Sequence, residues 1–212
     1  MLAELASLLD DDERRRAEAL RRPQLRRQFI AAHGAVRVIV GDYLGAPPEQ
    51  IRWRRGRHGK PELAGAWTGR QVNLSHSGDL AVVAVTDQRP VGVDIQRLPP
   101  GFGVARLAAR YYPEPEVRFV ASTNDPADRA DRFVRLWARK EACVKAAGGR
   151  LMQGMTLPVT DTLVRDSTGA LPGQYRLHDV PVPPGFCAAV ALAGGHPFQV
   201  NQHTYAHSPA RV

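Results

Sequence analysis

Two different hydrophobic periods run along this chain, and they divide it into helical and extended stretches. Phe29, Ile30, Val36, Ile39, Val40 and Leu44 recur at steps of three and four, which predicts a helix from Pro23 to Leu44. Gly45-Ala-Pro-Pro stops it. Before it, the charged stretch from Leu2 to Leu20 reads as helical, with Asp10, Asp11 and Asp12 offering side-chain oxygens to cap a helix through Glu13. From Ile51 to Arg97 the period changes. Ile51–Arg55, Gln71–Leu74, Leu80–Thr86 and Val91–Ile95 read as short strands between Gly and Pro turns. Helices are predicted again over Val104–Tyr111, Glu114–Val120 and Asp125–Ala147, the last stopped by Gly148-Gly149. Strands follow at Leu157–Asp161, Gln174–Val180 and Phe186–Leu192.

Helices first and antiparallel strands afterwards, twice over, predict an α+β fold rather than a parallel α/β sheet. The break at Leu98-Pro-Pro-Gly-Phe-Gly suggests a hinge between two halves, 1–98 and 99–212, although no residue-level repeat is visible. The composition, 43% hydrophobic and 24% charged over 212 residues, fits a globular chain and excludes a disordered or collagenous one. No apolar run approaches the ~20 residues of a membrane span. The start of the chain lacks signal-peptide character, and Cys143 and Cys187 allow at most one bridge; a cytoplasmic location is the expectation.

Charge sharpens the picture. A formal net charge of +8 favours an anionic partner: nucleic acid, a phosphorylated small molecule or an acidic protein. The bases are nearly all arginine, and the only lysines are Lys60, Lys140 and Lys145, which suggests positions that need a compact ammonium. The runs at Arg14–Arg16, Arg21-Arg22 and Arg26-Arg27 read either as a solvated helix face or as phosphate contacts. His196, His203 and His207 in the tail read as peripheral.

Four clusters carry candidate chemistry. Gly59-Lys60-Pro61 presents one ammonium on a turn. Asn73-Leu-Ser-His-Ser-Gly78 leaves a strand end as a possible anion cradle; a Ser–His nucleophile pair is disfavoured there, because neighbours on an extended chain face opposite ways. Asp94 and Gln96 share one strand face and offer oxygens to a hard cation. Glu141 and Lys145 share one helix face four residues apart, which by itself describes a common surface pair.

In their order and spacing these four clusters resemble the 4′-phosphopantetheinyl transferases of the larger, pseudo-dimeric Sfp type. The last, Phe133-x-x-x-Trp137-x-x-Lys140-Glu141-Ala-x-x-Lys145, looks like the W/KEA subgroup. The resemblance implies two pseudo-symmetric halves, each an antiparallel sheet packed with helices, and an active site for coenzyme A in the cleft between them. It implies transfer of the phosphopantetheine arm to a serine of an acyl or peptidyl carrier protein by a monomeric enzyme. Mg²⁺ would be held by Asp94, Gln96 and Glu141, with Gln96 standing where the family usually has a second acid. Glu141 would serve as general base and Lys145 would meet the leaving phosphate. Lys60, Ser75 and His76 would hold phosphate oxygens, and Arg14 and Arg16 the 3′-phosphate or adenine end. The acidic carrier would dock near 103–125, steered by Arg106, Arg110 and Arg118. Two alternatives stand beside this reading: a basic nucleic-acid-binding module, and a catalytically impaired relative that only binds carrier domains.

Overall fold

A computed structural model describes residues 2–56, 59–97, 103–167, 169–171 and 173–205. The expected hinge, Leu98–Gly103, lies outside the described residues except for Gly103, as does His207. Packing divides the chain into one compact unit of 1–53 with 200–212, and another of 54–199.

In the first unit, α1 (Leu2–Ser7), α2 (Asp11–Ala19) and α3 (Pro23–Leu44) form a helical cluster. Asp10 caps α2 and exchanges hydrogen bonds with Glu13 in a capping box, which accounts for the acidic run as a helix start. Gly34 of α3 lies so close to Leu5 that an added Cβ would stand 2.6 Å from the leucine Cβ. Leu5, Leu9, Ala17, Ala32, Val36, Val40 and Ile51 make the core of this unit.

The second unit carries the strands. After β1 (Trp53–Arg55) and β2 (Pro61–Leu63), β3 (Gln71–Ser77) pairs antiparallel with β4 (Leu80–Thr86), from Gln71 opposite Thr86 to Ser77 opposite Leu80. β5 (Val91–Arg97) belongs to a different sheet, of order β5-β8-β7-β6, with β6 at Leu163–Arg165, β7 at Gln174–Val180 and β8 at Phe186–Ala193. All its pairings are antiparallel. Helices α4 (Val104–Tyr111), α5 (Glu114–Ala121), α6 (Pro126–Ala147) and the single turn α7 (Leu151–Gly154) complete the unit. The fold is α+β, as expected, and β5 shares its sheet with the last three strands. α6 packs on β5 and β8 and contributes Phe133, Leu136, Cys143 and Val144 to the core.

One expected strand is absent. Leu157–Asp161 has strand-like alternation but makes no ladder; the strand comes at Leu163–Arg165 instead. Its buried polar groups find side chains: the Lys140 ammonium donates to the Leu157 carbonyl, and the Val159 amide donates to Glu116 at 2.6 Å. Buried backbone needs partners, and here two charged residues of α5 and α6 supply them in place of a neighbouring strand.

Candidate active site

The site begins with a glycine. A Cβ on Gly92 would stand 2.1 Å from the Ala142 carbonyl oxygen and 2.3 Å from the Ala146 amide nitrogen, so α6 rests directly on the backbone of β5. No other residue permits that approach. The contact sets the face of α6 that carries Glu141 and Lys145 over the strand that carries Asp94. α6 is fixed at both ends: Asp125 caps the start, with Pro126 in the first turn, and Gly148 closes the end at φ 62°.

Asp94 is 1% exposed, yet both carboxylate oxygens are occupied. Its Oδ1 accepts from the Ser75 hydroxyl at 2.7 Å and from the Lys145 ammonium at 2.5 Å; its Oδ2 accepts from the Gln96 amide at 2.9 Å. Lys145 also donates to Ser75 Oγ at 3.0 Å and to the Val93 carbonyl at 3.2 Å. All three ammonium hydrogens thus have acceptors on β3 and β5. Lys145 therefore answers Asp94 rather than making the simple helical pair with Glu141 that the spacing allows.

Glu141 is left less compensated. Burial pushes its carboxyl above the ordinary value of 4.5 and the Asp94 charge adds to the rise, against the opposing pull of Lys145 and of a hydrogen bond from Trp137. A carboxylate held above its ordinary value by desolvation and a like charge is a better proton acceptor than an unshifted one.

Lys60 reaches the same neighbourhood through backbone. Its ammonium donates to the Val91 carbonyl at 2.9 Å and to the Lys145 carbonyl in the last turn of α6 at 2.8 Å. Burial lowers its pKa to about 8, although Glu62 opposes the shift. Lys140, the third lysine, turns away from the site. It is fully buried, forms an ion pair with Glu116 at 2.6 Å and lies 4.7 Å from the centre of the Tyr112 ring.

The structure thus brings together Ser75, Asp94, Gln96, Glu141 and Lys145, with Lys60 tied to the ends of β5 and α6. His76 is exposed, on the side of β3 away from Asn73 and Ser75, which are buried. Arg14 and Arg16 lie on α2 in the other unit: Arg14 donates to Asp11 and to the Ser7 carbonyl, and the Arg16 guanidinium stacks 5.1 Å from the Phe29 ring centre. His196 and His203 are exposed, and among the described residues no three His, Cys, Asp or Glu side chains converge on a metal position. Sequence reasoning missed Gly92 as the contact point, Trp137 as a donor to Glu141, and Asn73 and Ser77 as partners of β5. The alternation Asn-x-Ser-x-Ser was the available signal for the last two.

Residues 90–183, which include Asp94, Gln96, Glu141 and Lys145, match the family described as the 4′-phosphopantetheinyl transferase superfamily. A protein of Nostoc sp. named 4′-phosphopantetheinyl transferase HetI is 35% identical over 196 residues, covering 91% of this chain and 82% of that protein. The 4′-phosphopantetheinyl transferase of Bacillus subtilis is 32% identical over 148 residues, 66% of this chain and 62% of its own length. An L-aminoadipate-semialdehyde dehydrogenase-phosphopantetheinyl transferase of Xenopus laevis is 36% identical over 128 residues, 56% of this chain and 42% of its own. The likeness to the Nostoc protein runs over nearly the whole chain rather than over isolated motifs, and the chain belongs to the 4′-phosphopantetheinyl transferase superfamily.

Proposed function

We propose that this protein moves the 4′-phosphopantetheine arm of coenzyme A onto a serine hydroxyl of an apo acyl or peptidyl carrier protein. The serine oxygen attacks the phosphorus that bears the pantetheine. The bond from that phosphorus to the bridging oxygen breaks, and adenosine 3′,5′-bisphosphate leaves with the electron pair. Glu141 takes the serine proton, directly or through water. The observation that carries this reading is the arrangement around Asp94: a buried carboxylate against the Lys145 ammonium, with the raised Glu141 carboxyl close enough to feel its charge.

The donor set fits a divalent cation. Two carboxylates and an amide supply hard oxygen chemistry, and the Lys145 ammonium already balances charge at Asp94 Oδ1, where a cation would. Asp94 and Glu141 would hold Mg²⁺, with Gln96 beside them, and the bound ion would neutralise charge on the pyrophosphate. With a cation held there, Lys145 and the Ser75 hydroxyl would be free to meet phosphate oxygens, Lys145 those of the leaving group. Lys60 and His76 add phosphate contacts, and Arg14 and Arg16 meet the 3′-phosphate or adenine end. The same reading carries the division into pseudo-symmetric halves, 1–98 and 99–212, a monomeric state and a cytoplasmic location. Among the described residues no helix is long and apolar enough to cross a membrane.

The carrier docks on α4 and α5. Arg106 and Arg110 of α4 and Arg118 of α5 are exposed, and carriers of this kind are acidic. The nucleic-acid alternative finds no support in the likeness to the Nostoc protein, which runs over 91% of this chain.

Incubation with coenzyme A, Mg²⁺ and an apo carrier, followed by mass measurement of the carrier, tests the proposal. A gain equal to one phosphopantetheine is expected. A carrier that binds but gains no mass would show an impaired relative and overturn the catalytic reading.

A further inference from the structure

β3 and β5 belong to separate hydrogen-bonded sheets. What joins them is a row of side chains on β3. Asn73 Oδ1 accepts from the Val93 amide at 2.8 Å, the Ser75 hydroxyl donates to Asp94 Oδ1 at 2.7 Å, and Ser77 Oγ accepts from the Arg97 amide at 3.0 Å. Residues 73, 75 and 77 alternate along the strand and so project to one side. Their partners ascend in the same order, so the two strands run parallel, stitched by side chains where a backbone ladder would otherwise lie. The Val93 peptide is held on both counts: its amide by Asn73, its carbonyl by Lys145.

We propose that Asn73 and Ser77 are positioning residues that fix the segment of β5 bearing Asp94, and through it the geometry of the proposed cation site. Asp94 lies between the two tied amides, at Val93 and Arg97. Val93 is 3% exposed and Asn73 9%, so an amide that lost Asn73 would be a buried donor with no replacement from solvent. The strand would shift to satisfy it, and a displacement of about 1 Å at a catalytic carboxylate is enough to slow a reaction ~10²-fold. The motif thus acts on Asp94 from the edge of β5 that faces β3, beside the hold that α6 exerts through Lys145.

The inference rests on the proposed role of Asp94, and two readouts separate them. Amide hydrogen exchange, residue by residue, reports the stitch. The magnesium concentration for half-maximal transfer at saturating coenzyme A reports the placement of Asp94. Asn73→Ala should speed exchange at Val93 by at least ~10-fold while the β7–β8 amides keep their protection. It should also raise the magnesium midpoint severalfold. Ser77→Ala should act likewise at Arg97, more weakly because that contact is exposed. Asn73→Asp, which keeps an acceptor oxygen, should leave Val93 protected, and it serves if the alanine variant folds poorly. Val164→Ala, which truncates a buried side chain on β6, is the control for general loss of stability. If the wild-type chain moves no phosphopantetheine, the reading of the site is what fails. If it does, the stitch fails on any of three results: unchanged Val93 exchange in Asn73→Ala, lost protection in Asn73→Asp, or an equal magnesium shift in Val164→Ala at matched thermal stability.

Discussion

The two units each set a pair of carboxylates, one buried and one half-buried, against a single cation, with opposite results. In the helical unit, Arg37 is fully buried and reaches both acids, donating from Nε to Glu13 at 2.7 Å and from Nη2 to Asp10 at 2.5 Å. Glu13 also meets His33 at 3.1 Å. Burial alone would push the Glu13 carboxyl up, but His33, Arg37 and the Asp10 amide together hold it below its ordinary value. In the sheet unit, the Lys145 ammonium is committed to Asp94, and Glu141 ends above its ordinary value. The guanidinium fork serves two acids at once; the ammonium has turned its three hydrogens to acceptors on β3 and β5 and leaves the second acid short of charge. The first arrangement is satisfied and structural. The second leaves a carboxylate that holds its proton more tightly than an ordinary one.

The largest effect should come from breaking the satisfied cluster. Arg37→Met leaves Asp10 and Glu13 without their cation, and removing one partner of a buried ion pair costs about 3–5 kcal/mol. Denaturant unfolding should record that loss. An unfolding free energy unchanged by the substitution would mean that the acids have other compensation, and the contrast between the units would be void.

Next comes the opposite case. Glu141→Gln should lower phosphopantetheine transfer by at least ~10²-fold, because a neutral amide cannot accept the serine proton. Thermal stability should hold or rise slightly, since the side chain removed is a carboxylate that burial and Asp94 disfavour. A variant that loses stability and keeps its turnover would place Glu141 with Glu13, as a structural acid.

The same contrast has a pH signature in metal-free protein. Glu13 binds its proton less tightly folded than unfolded. Its stabilising contribution is present above the ordinary carboxylate value of 4.5 and is lost as pH falls through the lowered folded value. Glu141 binds its proton more tightly folded. Below 4.5 it costs nothing, and stability declines as pH rises from there through the raised value. Unfolding curves with chelator present should therefore flatten above pH 4.5 in Glu141→Gln and flatten on the acid side in Glu13→Gln. Parallel curves for the two variants would erase the distinction.

Much of this was legible in the sequence wherever one face of an element decides its structure. The helices α3 and α6 and the strands β4, β5, β7 and β8 follow from periodicity, and the gathering of Asp94, Glu141 and Lys145 is what the family resemblance implies. Failures came where a polar group finds a partner far along the chain. The acidic run at Asp10–Asp12 reads as a helix cap, which Asp10 is, but nothing local announces Arg37, 27 residues on. Lys140 reads only as a position that needs a compact ammonium, and nothing local announces Glu116, the acid on another helix that matches its charge. Leu157–Asp161 has the alternation of a strand, but side chains answer its amide and carbonyl. The stretch from Asn73 to Ser77 reads as an anion cradle because it is rich in hydroxyls, and its second role, holding β5, shows locally only as alternation. Which neighbour those hydroxyls face is a tertiary fact, and the neighbour is β5.

The smallest expected effect concerns Gln96 and tests how closely the second cluster is balanced. Its amide donates to Asp94 Oδ2, so it quiets the one oxygen that Lys145 does not reach. Gln96→Glu exchanges that donor for another acid of nearly the same shape, beside Asp94. In metal-free protein the added charge repels its neighbours once ionised, so stability should fall more steeply as pH rises above the ordinary carboxylate range. A bound divalent cation reverses the sign, because a third acid then adds attraction. Half-maximal transfer should need severalfold less magnesium than in wild type, and magnesium should raise the thermal midpoint of the variant more than that of wild type. If the midpoint in magnesium is unchanged while the metal-free protein is destabilised, Gln96 serves only to hold Asp94. If neither moves, position 96 is electrically remote from the cluster, and the site rests on Asp94, Glu141 and Lys145 alone.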